Sequence, residues 1–343
     1  MQREASPGLH WVEVDYRDTG GFLERVPMSS AIRGPMRGQR QVAAGLSHGP
    51  YDALFFLTHN PAVLRPQTLL RTPTCLWTDV TPLQMDRQAA AYNHSLDRSA
   101  LLRKAKRCAV TLTFRLAARC LAWSDWARSS FVRDYGVPEE RTAVVRPGVE
   151  LDLFSPVADA ERAARTGPVR LLFVGGDFER KGGTLLLEAL HDRLGSRCEL
   201  DVVTRDDVAA APGLRVHRGL TPQSEPLRKL FREADLFVLP TLADCHSIAS
   251  IEAMACGLPV IFTRIGAGPE IVEEGRSGLL IEPGSGRALA AALDALLDDR
   301  ARLRSMGSRG RVLAEERFDV RHTATGLLRH LQEVSRKEVP GNV

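Results

Sequence analysis

The chain has 343 residues, 44% of them apolar and 26% charged. That composition excludes a disordered chain and leaves room for two domains, since single cores rarely grow beyond about 250–300 residues. No apolar run approaches the ~18 residues of a membrane span, and the start lacks the basic-then-apolar pattern of a secretory signal, so a cytoplasmic chain is expected. The formal net charge of +4 is uneven: residues 1–150 hold 20 Lys/Arg against 14 Asp/Glu, the remainder 26 against 28. A basic first half suits an acidic acceptor or peripheral contact at the inner membrane face; a solvated basic face is an equal reading. Aromatics are 6% and are not interleaved with basic clusters, which argues against a nucleic-acid partner.

In chain order, 9–16 (LHWVEVDY), 51–59 (YDALFFLTH) and 74–79 (TCLWTD) read as strands. His59 ends the second of these and Asp79 the third, which places Asp79 toward a cleft at the carboxyl ends of the strands. Residues 86–119 read as helical. Within them, 101–119 carries Arg103, Lys104, Lys106, Arg107, Arg115 and Arg119 without one clean charged face, so it reads as a solvated helix. A strand follows at 120–124. The stretch 144–156 and the polar, Ala-rich run to Pro168 form the inter-domain linker.

The second half alternates strand and helix. Strands are expected at 169–175, 198–203, 214–219, 235–240 and 259–263, the last two bounded by Pro240 and Pro259. Helices are expected through Leu186, Leu187, Leu190 and Leu194, over 223–234, 247–256 and 269–274, and through Leu289, Leu293, Leu296 and Leu297. Gly257 suits the position just past a helix end. Such alternation implies a doubly wound parallel sheet that binds ligands at the carboxyl ends of its strands.

One segment concentrates chemistry. In 240–263, PTLADCHSIASIEAMACGLPVIFT, a strand end leads through a loop holding Asp244 into a helix starting near Ser247. Open amides and the helix dipole suit a diphosphate on the N–H groups of His246, Ser247 and Ile248. Glu252 then stands where it can accept from a ribose diol, and Asp244 where it can meet the transferred sugar. Gly175 and Gly176 allow close backbone approach, and Arg180 and Lys181 add cations. The six cysteines form no C-x-x-C pair and no zinc spacing. Cys245 reads as non-catalytic, because its neighbours Asp244 and His246 diverge from it.

These residues resemble glycosyltransferase family 4. Glu252, Ala253, Met254, Ala255, Gly257, Pro259 and Val260 match the family's E-x7-E segment, with Asp244 where the first Glu is usual and Ser247 where Gly is usual. Residues 173–190 resemble the family's F-V-G-R-x4-K-G: Lys181 matches the phosphate-binding lysine, and Gly176 stands at the arginine, with Arg180 a candidate replacement. Residues 263–283 resemble its G-G-x-P-E-I-V segment, in which Gly266, Gly268 and Pro269 open a helix and Glu270 is as readily structural as functional. Gly219 and Leu220, in 217–240, would border the base. Residues 122–156 resemble the end of the family's first domain. His59, Asn60 and Pro61 fit the H-x-P setting of an active-site histidine, weighed evenly against an ordinary loop histidine. The family's first strand and glycine loop have no counterpart; Gly20 and Gly21 follow what reads as a second strand.

The resemblance implies a GT-B fold: an α/β chain of two Rossmann-like doubly wound domains facing a cleft, the first shortened. Their expected bounds are 1–150 on the acceptor side, 168–305 binding the nucleotide-sugar, and C-terminal helices over 306–335 crossing back. It implies sugar transfer from a UDP-, GDP- or ADP-sugar to an unknown acceptor (saccharide, lipid or small molecule) with retention of configuration, no metal and no other cofactor. Rivals are a nucleotide-sugar epimerase, a non-catalytic nucleotide-sugar binder and a nicotinamide dehydrogenase. The last is weakest, since no G-x-G-x-x-G follows the first strand of either half.

Overall fold

The computed structural model describes residues 8–15, 30–92 and 99–335. The first half runs α1 (Ser30–Leu46), β1 (Leu54–Leu57), α2 (Pro66–Arg71), β2 (Thr74–Thr78), α3 (Pro82–Arg87), α4 (Ala100–Leu116), β3 (Arg119–Ala122), α5 (Asp125–Tyr135) and β4 (Thr142–Val144). Its four strands are parallel in the order β1-β2-β3-β4. One face of this sheet is covered by α2, α4 and α5, through Leu69, Val110, Phe114, Phe131 and Tyr135.

The second half runs α6 (Asp159–Ala163), β5 (Val169–Val174), α7 (Gly183–Leu190), β6 (Cys198–Val203), β7 (Leu214–His217), α8 (Glu225–Glu233), β8 (Leu236–Leu239), α9 (Ile248–Ala255), β9 (Val260–Thr263), α10 (Gly268–Ile271), β10 (Gly278–Ile281), α11 (Gly286–Leu297), α12 (Arg300–Arg317) and α13 (Val320–Ser335). The six strands are parallel in the order β10-β9-β8-β5-β6-β7. β8 is buried at every position, as an unbroken apolar run between two helix layers should be. The order reverses between β5 and β8, which makes their carboxyl ends the switch point where such sheets bind ligands. The chain then returns: Val149 N–H donates to Phe318 O and Val320 N–H to Val149 O, and α13 lays Leu327, Leu331 and Val334 on Cys75, Leu121 and Val145 of the first half.

Several elements differ from expectation. Residues 9–15 are not a strand: His10 stacks on His48 and Tyr51, and Asp15 bonds Gln41, so the segment lies along α1 instead of joining a ladder. Tyr16, Gly20 and Gly21 lie outside the described residues. The single helix over 86–119 is two helices, α3 and α4. Ser99 caps α4 by accepting from Leu102 N–H, which starts a separate helix. The strand expected over 51–59 stops at Leu57 because Thr58 adopts a φ of 75°. Ser124, placed in the strand 120–124, instead caps α5. Leu194 lies beyond α7, and the helix of 269–274 ends at Ile271.

Candidate functional site

Two loops leave the switch point side by side. The loop after β5 holds Gly175 to Gly182, and the loop after β8 holds Pro240 to Ser247. Backbone bonds stitch them, Leu242 N–H donating to Arg180 O at 2.8 Å. Gly182 has a φ of 80° and lies with its Cα against the Pro240 carbonyl, an approach that leaves no room for a side chain. The stitching brings Lys181 Nζ to 2.6 Å from Asp244 Oδ2, both side chains largely out of water. Arg180 is held on three sides: Nε donates to Asp177, one terminal nitrogen to Ala243 O, and its guanidinium carbon stands 4.6 Å from the Tyr92 ring centroid.

Beyond Asp244 the chain turns into α9. The Ser247 hydroxyl accepts from Ser250 N–H and caps the helix. Among the described residues, nothing accepts from the amides of His246, Ser247 and Ile248. Open amides at a helix start attract anions. Glu252, one turn along, is buried, and its carboxyl has no hydrogen-bond or ion-pair partner among the described residues. Burial alone pushes its carboxyl from 4.5 up to about 7. Gly266, with a φ of 54°, packs under the Asp244 and Cys245 carbonyls, and Ala267 N–H donates to Cys245 O at 3.0 Å, so the 263–283 segment floors the loop.

The first half faces this loop with Asp79, Tyr92 and Trp123. Burial, and secondarily the charge of Asp244, raises the Asp79 carboxyl. Tyr92 Oη lies 3.4 Å from Cys245 Sγ, and burial pushes that thiol up to about 12, which keeps it an inert thiol. The His246 ring stacks edge-on between Trp123 and Phe318. Burial, with Arg146 nearby, lowers its imidazole to about 3. Glu270 crosses between the halves: its two oxygens accept from Asp125 N–H and Trp126 N–H, each at 2.8 Å, at the start of α5.

Not every residue singled out in the sequence converges here. His59 lies two positions beyond Leu57, level with Asp79 on the neighbouring strand, but its ring packs on Phe114 at 5.5 Å. Burial and then Lys106 lower it to about 4, so it is neutral at neutral pH. Leu220 lines a groove of about 500 Å³ between β7 and α8 with Asp201, Arg215 and His217, away from the loops. Gly219 is exposed beside it. Arg180, the expected replacement for the absent arginine, is engaged by Asp177, Ala243 and Tyr92. Arg205, from the end of β6, instead occupies the space over Gly176: its Nε donates to Gly176 O at 3.3 Å and lies 3.0 Å from where a Cβ on Gly176 would stand. Tyr92, Trp123 and Arg205 carry no local sequence signal; only the paired loops bring them in.

Residues 168–299 match the family model described as glycosyl transferases group 1. The D-inositol 3-phosphate glycosyltransferase of Pseudarthrobacter chlorophenolicus is 30% identical over 218 residues, 58% of this chain and 52% of that protein. The MMP alpha-(1->4)-mannosyltransferase of Mycolicibacterium hassiacum is 32% identical over 212 residues, 58% of this chain and 50% of that one. The chain thus spans about half the length of the curated relatives it matches. Among solved structures, sucrose-phosphate synthase from Thermosynechococcus elongatus aligns with a TM-score of 0.72 at 19% identity, covering 90% of this chain and 80% of that one. HepE from Anabaena, solved in complex with UDP-glucose, aligns with a TM-score of 0.66 at 18% identity, covering 89% and 82%. The fold is therefore the expected GT-B arrangement, two Rossmann-like sheets facing a cleft.

Proposed function

We propose that the chain transfers a glycosyl group from a UDP-, GDP- or ADP-sugar to an acceptor hydroxyl with retention of configuration. The carrying observation is the pair of switch-point loops, where open amides lead into α9, Lys181 sits on Asp244, Arg205 covers Gly176 of the facing loop, and an unpartnered Glu252 carboxyl waits one turn on. In this reading the donor exchanges partners with the resting ion pair. The diphosphate replaces the Asp244 carboxylate on Lys181, and sugar hydroxyls replace the ammonium on Asp244. Glu252 accepts from the ribose diol. The nucleoside diphosphate leaves with its charge spread over the cations Lys181 and Arg205 and the N–H dipoles at the start of α9, which serve in place of a metal. Arg180 holds the loop through Ala243 and Tyr92. Asp79 faces the acceptor, with His59 bordering that site. The chain works in the cytoplasm, in keeping with its cysteines standing as six separate thiols.

Thermal-shift titration with UDP, GDP, ADP and their sugars tests this. One nucleotide should raise the melting temperature of the wild type and leave Glu252→Ala unmoved. A wild type blind to all of them overturns the reading. Turnover in chelator should release nucleotide together with a glycosylated product; an altered free nucleotide-sugar would mark an epimerase instead. Arg205 has its own test. Arg205→Ala should weaken the responding nucleotide about tenfold, the worth of one charge-assisted hydrogen bond. Adding Gly176→Arg should restore it, since that side chain starts in the vacated space. Failure of both would remove Arg205 from the site.

A further inference from the structure

The two ends of α9 are built differently. Its start is open toward the cleft, whereas every carbonyl of its last turn has a partner. Gly257, at a φ of 71°, turns the chain so that Gly257 N–H donates to Met254 O at 2.9 Å and Leu258 N–H to Ala253 O at 3.0 Å. The carbonyls of Ala255, Cys256 and Gly257 are left over, and Pro259, four positions after Ala255, has no N–H to give. Two arginines take all three. Arg162 donates to Cys256 O at 2.9 Å and to Gly257 O, and Arg311 donates to Ala255 O at 2.7 Å. Cations also suit the negative end of a helix dipole.

Both arginines engage the connection between the halves. Arg162 lies on α6, in the stretch between β4 and β5. Arg311, on α12, donates a second bond at 2.9 Å to the carbonyl of Phe154, a fully buried residue of that same stretch. Pro156 packs beside Gly257 from the connection, and Gly307 of α12 lies against Gly257 O with no room for a side chain.

We propose, resting on the donor reading of the α9 start, that Arg162 and Arg311 are positioning residues for the donor site. They clamp the end of α9 to the inter-domain connection and thereby fix where its open amides and Glu252 stand. α9 has eight residues, about 12 Å at 1.5 Å each, so it moves as a unit. Release of one end displaces the other. Neither arginine reaches the ligand, because both lie by the amino end of β9, away from the switch-point loops.

Calorimetry with UDP, GDP and ADP, well below every melting temperature, separates this role from a merely structural tie. Arg162→Met and Arg311→Met should each weaken the nucleotide that wild type binds about tenfold, short of the roughly hundredfold that a 1 Å misplacement can cause. Arg162→Lys keeps a charged donor and should recover most of the loss. Arg193→Met is the control. It breaks bonds of 3.0 and 2.6 Å to Asp294 that touch neither α9 nor the connection, so it should lower stability without changing affinity. Wild-type affinity in either Met variant removes that arginine from the clamp, and a loss matched by Arg193→Met overturns the proposal. A wild type that binds none of the three nucleotides overturns the donor reading itself, and the clamp with it.

Discussion

Glu252→Gln is expected to make the ligand-free chain more stable at alkaline pH relative to wild type while removing its response to nucleotide. The carboxyl is buried without a partner, and burial raises it from 4.5 to about 7. In the unfolded chain it ionises near 4.5, so between those two values the folded state holds a proton that the unfolded state has released. Wild-type stability therefore falls as pH rises through that window and stays lowered above it, by about 3 kcal/mol from the shift alone. Gln cannot ionise, so the gap between the two proteins should be small at pH 4 and open fully by pH 8. Melting curves across this range measure it. A constant gap would mean that Glu252 is solvated.

Nucleotide should reverse the sign. A ribose diol donating two hydrogen bonds favours the charged carboxylate, so affinity should tighten as pH rises toward 8, with a proton released on binding. Loss of two charge-assisted bonds should weaken nucleotide binding in Glu252→Gln about a hundredfold or more. Calorimetry in two buffers of different ionisation heat reads both effects. A residue that harms the empty protein and serves the loaded one is under functional constraint.

Lys181→Met is the second substitution with a large expected effect. It leaves the Asp244 carboxylate buried, unpaired and close to Asp79, whose own carboxyl is already raised by burial and by that charge. Breaking such a pair costs about 3–5 kcal/mol. Adding Asp244→Leu removes the stranded charge and should return stability to within about 1 kcal/mol of wild type, because both polar partners are then gone. Turnover should not return in the double variant. Asp244→Asn alone should leave Lys181 available and permit nucleotide binding, yet stop transfer. Denaturant titrations of wild type, Lys181→Met, Asp244→Leu and the double variant form the cycle, and a Lys181→Met protein as stable as wild type would place the pair in water.

The second half was legible because its chemistry is local. Buried parallel strands are short apolar runs, and Gly257, Pro240 and Pro259 punctuate them, so the switch point and its loops could be placed from sequence. The residues that complete the loops were not legible. Arg205 lies 29 positions from Gly176, and Tyr92 meets Cys245 across 153. Neither proximity leaves a periodic trace. The errors have physical causes too. Residues 9–15 alternate like a strand, but no ladder neighbour receives them. The periodicity of 86–119 continues through Ser99, whose hydroxyl starts a new helix. His59 is not among them: the sequence places it at its strand end, and its ring packs on Phe114.

The position of Glu270 has a consequence for motion. Its carboxylate occupies the first amides of a helix belonging to the opposite half, and Arg146 of that half stands 3.6 Å from it. Parting the two sheets leaves the Ser124 cap of α5 in place but strips the Asp125 and Trp126 amides of their acceptor, at a cost of about 1 kcal/mol. The cleft is thus biased shut before any ligand arrives. The exchange of the Asp125 and Trp126 amide hydrogens with solvent becomes a gauge of gape, built into the backbone and readable without a label.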